Sequence, residues 1–549
     1  MKDLIRQRIN NAVKKKFQIK DFECSLDVPD NNKFGDYSTN LAFALAKKTK
    51  KSPKEIAEAI ALEMAKIKDF QKVEVAGGGF INFFINPAIL EKAVGEILKA
   101  KRKYGSRAIN QKNNKSKKQK TMVEFLSANP TGPMTLGNGR GGFSGDTLSN
   151  VLALSGHNIF REYYINDAGN QVKEVLSKSV KKALGIDLKI EEGEELYGGA
   201  YIEEIARKIK KEKGIEWVAK THSRVGVLAA KIILQNLIKK DVKSFGIRYD
   251  NWLSEESLHK KGLLDKTWKI LIKKNMVYEE EEAYWLKTTK YGDDKNRVIK
   301  TNEGNYTYLM GDIALLYDRF VLRKFDKVIV FVGADHHGYL GRWYAACEML
   351  GIKKDRLVII VMQIVRAIQS GEEVRMSKRK GTFITLREVV EDIGLDAARY
   401  FFISRDFNTH IDIDLDLAKE ENNRNPVYYI QYASARMNSV LAKVRNHKRR
   451  ITKHKKISNL NDQNSKYELD LIKKMLEWPG LISEIAGNFQ VYKVANYAYE
   501  LAGVFHRFYD NCRIIGDERE KERLLLIRAS KIILESVLRV MGIEAKKKM

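Results

Sequence analysis

The sequence predicts a multidomain α/β protein in which a parallel-sheet domain lies between an N-terminal α+β domain and a C-terminal all-α helical bundle. Three observations support this fold class. The chain has 549 residues, too many for a single hydrophobic core. Apolar runs rich in Val, Ile and aromatic residues alternate with helical patterns from Thr121 to about Asp406, as in parallel sheets covered by helices. After about Ile411 only the three- and four-residue spacing of buried helix faces remains.

The N-terminal domain is predicted to span residues 1–105. It opens with a run of charged and apolar residues at helical spacing, MKDLIRQRINNAVKKKF. It closes with VEVAGGGFINFFI, whose alternation around a glycine turn is typical of two strands. Residues 106–120 follow as a basic linker, since the stretch from Lys101 to Lys120 contains no acidic residue. Such a charge run favours an exposed connection between domains.

Residues 121–410 are predicted to form the parallel-sheet domain, with strands in TMVEFL, IFREYYI, KVIVFVGA and LVIIVMQIV. Strands that alternate with helices in this way are typical of a Rossmann-like, nucleotide-binding domain. Residues from about 178 to 306 are charged and helical in pattern, which predicts a helical insertion. Residues 411–549 complete the chain as the helical bundle.

Composition narrows the range of functions. The chain carries 99 Lys and Arg against 70 Asp and Glu, a formal charge of +29, which favours a polyanionic partner and nucleic acid first. The apolar runs are too short to cross a membrane, and the N-terminus lacks the apolar core of a signal peptide. Cys24, Cys347 and Cys512 lie far apart. They offer no zinc-type spacing and favour a reducing, cytoplasmic compartment.

The stretch SANPTGPMTLGNGRGG, residues 127–142, places glycines at the start of a predicted helix, against helix propensity. It contains no Gly-Lys-Ser/Thr triplet of a P-loop. Gly137, Gly139 and Gly142 fit the GxGxxG dinucleotide fingerprint, with Glu162 as the ribose partner, so a nicotinamide-dependent oxidoreductase is one interpretation. The long segment SANPTGPMTL argues against it, because the first glycine of that fingerprint follows its strand directly.

A different motif fits the length of this loop. The segment resembles the HIGH region of class I aminoacyl-tRNA synthetases, most closely the arginyl-tRNA synthetases, in which an Asn- and Pro-rich loop leads to His-x-Gly-His at a helix start. Here the four positions are Thr135-Leu136-Gly137-Asn138, so both histidines are replaced. VRMSKRKG, residues 374–381, resembles the KMSKS loop. Five further segments resemble that family in the expected order: FGDYSTNLAF, REYYINDAGNQ, FVGADHHGY, GLDAARYFFISRDFNTHIDIDLD and AGVFHRFYDNCRI.

The resemblance implies a reaction and its participants. Arginine and ATP would form arginyl-adenylate, and arginine would pass to the 3′ end of tRNA(Arg), with Mg²⁺ as a second cofactor beside ATP. The N-terminal domain would contact tRNA, the helical bundle would bind the anticodon, and the protein would be a monomer. Adenylate formation in this family requires bound tRNA.

The resemblance also implies the site residues. The catalytic residues would be Thr135, Asn138 and Lys378. The ATP-binding residues would be Gly137, Gly139, Gly333, Asp335, Met376, Ser377, Lys378 and Arg379. The arginine-binding residues would be Glu124, Ser127, Asn129, Glu255, Tyr308, Asp312 and His337. No metal-binding set is expected around Asp335, His336 and His337, because adjacent histidines point in different directions and no further ligand is suitably spaced.

Replacement of the two histidines changes the expected phosphate chemistry only in part. A helix N-terminus presents unpaired N–H groups and the positive end of a dipole to a triphosphate. Thr135 keeps a hydroxyl donor and Asn138 keeps an amide donor. Neither is charged, so neutralisation of the phosphate charge would depend more on Lys378, Arg379, Lys380 and Mg²⁺. A catalytically silent tRNA-binding protein therefore stays open as an alternative.

The implied arginine site has a physical basis of its own. A guanidinium group presents five donors in a planar fork and is best bound by carboxylates such as Glu255 and Asp312. Tyr308 precedes Asp312 by one helical turn, so the two residues share a face. Glu124 lies inside an apolar strand, where a carboxylate is costly unless it is paired.

Overall fold

The computed structural model describes residues 2–29, 31–106, 118–374, 384–446 and 465–549. Its N-terminal domain is a three-stranded antiparallel sheet, in the order β1-β3-β2, with helices packed against it. The elements are α1 (Lys2–Phe17), β1 (Tyr37–Thr39), α2 (Leu41–Thr49), α3 (Pro53–Ala65), β2 (Phe70–Ala76), β3 (Phe80–Ile85) and α4 (Pro87–Ala100). The hairpin predicted around the glycine turn is therefore present as β2 and β3.

The central sheet has five parallel strands in the order β11-β10-β4-β5-β6. They are β4 (Lys120–Glu124), β5 (Asn158–Ile165), β6 (Asn251–Ser254), β10 (Lys327–Gly333) and β11 (Leu357–Met362). The four predicted strands are confirmed, and β6 is an addition. The strand order reverses at β4, and ligands of such sheets bind in the crevice beside the carboxyl ends at this reversal. Helix α5 (Leu136–Leu154) follows β4 at this position.

The helical insertion predicted for about residues 178–306 contains helices and also four strands. A π-helical turn at Gln171–Leu176 leads into α6 (Ser177–Ala183), α7 (Ala200–Lys213), α8 (Ile215–Lys220), α9 (Ser223–Ile233) and α10 (Lys239–Ser244). Strand β6 then returns the chain to the central sheet. Beyond it lie α11 (Glu255–Lys260), α12 (Leu263–Lys273) and an antiparallel sheet of β7 (Val277–Glu280), β8 (Ala283–Leu286) and β9 (Arg297–Lys300).

Two local features explain why hydrophobic periodicity does not predict strands β6, β7 and β8. Strand β6 has only four residues, too few to establish an alternation. The hairpin of β7 and β8 turns through Glu281 and Glu282, and the acidic run Glu279–Glu282 hides the apolar alternation on either side. Glu281 and Glu282 have φ values of 48° and 59°, which the tight turn requires.

A third small sheet, in the order β13-β12-β14, completes the parallel-sheet domain. This region contains α13 (Tyr308–Tyr317), α14 (Leu340–Leu350), β12 (Val365–Gln369), β13 (Glu372–Glu373), α15 (Leu386–Ile393), α16 (Leu395–Ile403), β14 (Ile411–Asp414) and α17 (Leu415–Lys419). Strand β14 pairs with β12 although it lies beyond the boundary predicted at residue 410. The parallel-sheet domain therefore extends past β14.

The predicted helical bundle is confirmed. It consists of α18 (Pro426–Asn446), α19 (Ser465–Asn488), α20 (Tyr492–Asn511) and α21 (Glu520–Met541). The N-terminal domain packs against it: Asp36 forms an ion pair with Lys473, and Gly105 leaves room for the ring of Trp478. No helix among the described residues is long and apolar enough to span a membrane.

Buried arginines join α5 to other parts of the chain. Arg140 donates to the carbonyl oxygens of Gln363 and Asp406, both at 2.7 Å. Arg399, on α16, donates to the Asp146 carboxylate of α5 at 2.9 Å. Burying a charged group is costly unless it is fully hydrogen-bonded, so these contacts fix the position of α5 closely.

Candidate active site

The carboxyl ends of three strands bring predicted site residues to one edge of the central sheet. Glu124 ends β4, Gly333 ends β10 with Asp335 two residues later, and Glu255 directly follows β6. Helix α5 starts from the same edge with Thr135 as its N-terminal cap. Parallel strands have their carboxyl ends on the same side. Residues that lie up to about two hundred positions apart therefore meet at one crevice.

The loop after β4 follows a strained path that distant tyrosines hold in place. Leu126 and Ser127 have φ values of 68° and 39°, a left-handed conformation that costs about 1–2 kcal/mol per residue. Three tyrosine hydroxyl groups donate to the loop carbonyls: Tyr249 to Phe125 at 2.9 Å, Tyr163 to Ala128 at 2.8 Å and Tyr201 to Thr131 at 3.0 Å. The site loop is thus fixed by β5 and by the insertion.

The two residues that replace the histidines bind each other at the start of α5. The backbone N–H and the hydroxyl group of Thr135 both donate to Asn138 Oδ1, at 2.9 and 3.0 Å. The Asn138 carbonyl therefore caps the helix in the manner of a capping box. Its amide Nδ2 makes no hydrogen bond to the described residues, so this group keeps both of its donors for a ligand at the helix N-terminus.

Packing accounts for most of the glycines that precede and follow this turn. A side chain at Gly137 would meet nothing closer than Thr135 Oγ1 at 3.9 Å, so this position opens onto free space. The other four glycines pack closely against neighbouring side chains. A Cβ atom would lie 2.5 Å from Leu386 at Gly139 and 2.9 Å from Leu126 at Gly142. It would lie 3.1 Å from Met362 at Gly141 and would overlap Phe125 at Gly145. Gly137 is therefore the glycine best placed for a close ligand, and contact of ATP with Gly139 stays a prediction.

Alanine substitutions at Gly137 and Gly145 should have opposite effects on stability. Gly145→Ala forces a methyl group into Phe125 and is expected to destabilise the protein by about 1–3 kcal/mol. Gly137→Ala meets no neighbour and should stabilise α5 by up to about 1 kcal/mol. Thermal denaturation measures both effects. If ATP lies on this turn, Gly137→Ala should also raise the KM for ATP; equal destabilisation by the two variants would contradict the packing assignment.

Glu255 and Asp312, two predicted arginine ligands, lie together. Glu255 is 8% exposed, and a side chain on Gly311 would lie 3.7 Å from its Oε1 atom. Burial, with Asp312 and Asp167 nearby, raises the pKa of Glu255 to about 7. That shift corresponds to about 3 kcal/mol of unfavourable energy for the ionised form. Trp343 Nε1 donates to Asp312 Oδ2 at 3.0 Å and orients that carboxylate.

Tyr308 lies one helical turn before Asp312 on the same helix. It is the first residue of α13 and is 68% exposed. A side chain at Gly169, after β5, would lie 3.8–3.9 Å from its ring and hydroxyl group. Tyr308 and Asp312 share a helix face, as predicted. A planar cation placed between them would relieve the repulsion between Glu255 and Asp312.

The other predicted arginine ligands already have protein partners. Glu124 pairs with the buried Arg319, which also binds Glu162 at 3.1 Å. Ser127 Oγ accepts the Tyr164 N–H at 3.1 Å. The Asn129 side chain, which is exposed, donates from Nδ2 to Gln171 Oε1 at 3.0 Å. The pairing of Glu124 agrees with the expectation that a carboxylate in this strand needs a cation. Contact of Glu124, Ser127 and Asn129 with a substrate stays a prediction.

Glu162 decides against the nicotinamide interpretation. Its side chain is fully buried, and Arg319, Arg323 and Asn251 all bind it. These donors hold the pKa of Glu162 below its ordinary value despite its burial. A carboxylate enclosed in this way is not available to a ribose hydroxyl group at the sheet edge.

The predicted KMSKS residues Met376, Ser377, Lys378 and Arg379 lie outside the described residues. The first described helix after them is α15, and its Leu386 N–H donates to the Met134 carbonyl at 2.9 Å. Met134 directly precedes Thr135, so the chain that follows the KMSKS segment is attached to the start of α5. The backbone of His337 lies in a 3₁₀ turn at Ala334–Tyr339, after β10, with Asp335 exposed.

Three residues of this site escape sequence reasoning: Tyr164, Arg319 and Trp343. Arg319 lies in a π-helical turn, Asp318–Leu322, that carries it into the core. Its only sequence signal is a charged pair, DR, within an apolar helix. Trp343 and Tyr164 read as ordinary core aromatics, because their partners lie 31 and 91 residues away along the chain.

Comparison with known proteins identifies the family. The catalytic domain described as "tRNA synthetases class I (R)" matches residues 94–454. The chain belongs to the arginyl-tRNA synthetase family. The arginyl-tRNA synthetase N-terminal domain matches residues 2–85, and the DALR anticodon-binding domain matches residues 430–549. This order agrees with the three domains of the fold and with the class I, ligase-type chemistry that the sequence predicts.

Named relatives of this arginyl-tRNA synthetase family member match along nearly their whole length. The chain is 39% identical to arginine–tRNA ligase 1 of Halalkalibacterium halodurans (100% of this chain, 99% of the relative). It is 42% identical to arginine–tRNA ligase of Carboxydothermus hydrogenoformans (95% and 94%). The solved arginyl-tRNA synthetase of Thermus thermophilus, at 19% identity, aligns with a TM-score of 0.74 over 100% of both chains and supports the fold alone.

Proposed function

We propose that this chain is an arginine–tRNA ligase, which activates arginine with ATP and transfers it to the 3′ end of tRNA(Arg). The observation that carries the proposal is the paired carboxylates Glu255 and Asp312, buried and half-buried beside the helix start of a class I sheet. Two adjacent carboxylates repel each other, and a guanidinium group bound by both would relieve that repulsion.

The chemistry divides between the two sides of the crevice. Glu255 and Asp312 hold the guanidinium group, and Tyr308 covers it. On the other side, the N-terminus of α5 and the amide of Asn138 donate to the phosphates of ATP. Lys378 is proposed to neutralise the charge that develops on pyrophosphate. The protein needs only to position the two substrates for attack on the α-phosphate.

Mg²⁺ is proposed to enter with the nucleotide. The described residues contain no group of three His, Cys, Asp or Glu side chains placed to hold a metal ion. This agrees with the usual behaviour of Mg²⁺, which binds substrate phosphates and few protein ligands. Bound Mg²⁺ would neutralise phosphate charge. We also propose that the protein is a monomer. Its three cysteines, Cys24, Cys347 and Cys512, form no disulfide among the described residues, which favours a reducing, cytoplasmic compartment.

ATP–pyrophosphate exchange, measured in the presence of tRNA, tests the function. Arginine-dependent exchange is expected from the parent chain, with loss of exchange in Lys378→Ala. Asn138→His, which restores one histidine of the motif, serves as the comparison for the phosphate site. Absence of arginine-dependent exchange in the parent chain would favour a silent tRNA-binding protein instead.

The affinity for arginine should depend on pH through Glu255. Its pKa is raised from 4.5 to about 7, first by burial and then by Asp312 and Asp167. Below pH 7 the carboxyl group is protonated in the free protein, and arginine must displace that proton. The KM for arginine is therefore expected to rise by up to about tenfold for each unit below pH 7 and to level off at higher pH. Kinetics from about pH 6 to 9 measure this.

The same shift has a defined sign for stability. Because the folded pKa exceeds the unfolded one, stability from protonated Glu255 is fully present below pH 4.5 and is lost as the pH rises through 7. Saturating arginine should reduce that loss. Glu255→Gln should bind arginine weakly and without this pH dependence; an unchanged pH profile in that variant would exclude Glu255 as the titrating group.

A further inference from the structure

Tyr201 belongs to the helical insertion, yet its hydroxyl group binds the loop between β4 and α5. It is the second residue of α7 and is half-buried. The buried side chains of Ile202 and Ile205 pack α7 into the main hydrophobic core, so the helix holds Tyr201 in a fixed place. The hydroxyl group donates to the Thr131 carbonyl at 3.0 Å, and a Cβ atom on Gly132 would lie 2.9 Å from the hydroxyl oxygen. One side chain of the insertion thus contacts two successive residues of the site loop.

The segment that Tyr201 contacts offers few groups by which it can be held. Pro130 and Pro133 stand on either side of Thr131 and Gly132, and proline has no backbone N–H. Gly132 has no side chain either. Thr131 and Gly132 are both buried, so the Thr131 carbonyl needs a donor from the protein. A donor to this carbonyl group is therefore the main way in which the rest of the chain can fix the segment, and Tyr201 supplies it.

The first half of the loop, residues 124–129, is held by other groups. Glu124 pairs with the buried Arg319, and Ser127 Oγ accepts the Tyr164 N–H at 3.1 Å. This half contains the loop residues that are predicted to bind arginine. Loss of the Tyr201 hydroxyl group leaves these contacts in place, so the predicted arginine ligands should keep their positions.

The second half of the loop leads into the start of α5. Thr131 lies four residues before Thr135, the N-terminal cap of that helix. Between them, the Met134 carbonyl accepts the Leu386 N–H at 2.9 Å. Tyr201 and Leu386 therefore hold this short segment near its two ends. The placement of the helix N-terminus, which is proposed to donate to the phosphates of ATP, depends on both contacts.

We infer that Tyr201 is a positioning residue for ATP: its hydroxyl group fixes the segment of Thr131 and Gly132 and thereby the start of α5. The inference rests on the ATP site of the proposed function and adds the helical insertion to that site. Tyr201 acts through the loop backbone, so it should affect the affinity for ATP and leave the affinity for arginine unchanged. Burial raises the pKa of Tyr201, so its hydroxyl group keeps the proton that it donates.

Tyr201→Phe tests the inference, because it keeps the ring and removes only the donor. In tRNA-supported ATP–pyrophosphate exchange, its KM for ATP is expected to rise about fivefold, the loss typical of one neutral hydrogen bond. Its KM for arginine should stay within about twofold of the parent value. The Kd for ATP, measured by calorimetry without chemistry, should rise by the same factor as the KM for ATP. Tyr278→Phe is the matched control: the half-buried Tyr278 accepts a hydrogen bond from Asn296 Nδ2 at 3.1 Å in the β7–β9 sheet, and its replacement should change neither KM.

A double variant with Gly132→Ala decides whether Tyr201 acts through this contact. The added methyl group displaces the Tyr201 hydroxyl group, so Gly132→Ala alone should also raise the KM for ATP about fivefold. In Tyr201→Phe the closest obstacle is absent, so the double variant should stay near about fivefold and not reach the product of about 25-fold. An unchanged KM for ATP in Tyr201→Phe, an equal rise in both KM values, or the full product in the double variant would overturn the inference. A parent chain that binds ATP but catalyses no arginine-dependent exchange would overturn the proposed function instead, and the Kd for ATP would still test Tyr201.

Discussion

Asp312→Asn is expected to abolish almost all arginine activation. The substitution keeps the size of the side chain and its contact with Trp343 but removes the charge that is proposed to face the substrate guanidinium group. Removing one partner of a buried charged pair costs about 2–5 kcal/mol, so kcat/KM for arginine should fall by a factor on the order of 10³. Exchange kinetics with arginine varied at saturating ATP measure this, and the KM for ATP should not change.

Asp294→Asn is the matched control for this prediction. Asp294 is a carboxylate of the β7–β9 region, 73% exposed and paired with Arg297. Its replacement should leave arginine kinetics unaltered, because a solvated carboxylate contributes little beyond its own surroundings. If Asp312→Asn kept the parent KM for arginine, the assignment of Asp312 to the guanidinium site would be wrong, and another class I specificity would have to be considered.

Arg399→Met is expected to destabilise the fold by about 3–5 kcal/mol. The Arg399 side chain is 2% exposed. It donates to Asp146 Oδ2 at 2.9 Å, to the Met541 carbonyl at 2.9 Å and to the Phe245 carbonyl at 2.7 Å. Methionine fills much of the volume but leaves a buried carboxylate and two carbonyl groups without their donor.

Arg399 joins four parts of the chain, so its replacement should destabilise more than the segment around it. Asp146 lies on α5, Phe245 follows the helical insertion, and Met541 ends the last helix of the bundle. Thermal denaturation should show a lower midpoint for the whole parallel-sheet domain. Arg424→Met serves as the control: Arg424 is 77% exposed and pairs with Glu420, four residues earlier in the loop between α17 and α18. Its loss should cost below about 1 kcal/mol, and comparable effects of the two variants would contradict the structural role of Arg399.

Hydrophobic patterning predicted the sheet well where strands are long and buried on both faces. Strands β4, β5, β10 and β11 are all in this class and lie where they were expected. It failed at β6, the strand that places Glu255, because four residues carry too little alternation. It also failed at β7 and β8, whose acidic turn outweighs the apolar residues around it.

The candidate site divides in a similar way. Motif resemblance supplied Glu255, Tyr308 and Asp312; the structure places Glu255 close to Asp312 and Tyr308 one helical turn before Asp312. The glycines show the opposite case. All five were expected to make room for ATP or for packing, and only the Cβ positions distinguish Gly137, which is open, from Gly145, which packs on Phe125.

The sequence by itself determined the family, the order of the domains and the residue types of the arginine site, because those features reside in short motifs and local periodicity. The tertiary structure decided which side chains face each other and how they are charged. Glu255 acquires its raised pKa from Asp312, 57 positions away, and from burial; Arg399 finds its carboxylate 253 positions away. Such contacts depend on how strands and helices pack, and packing between distant segments leaves no periodic signal in the chain.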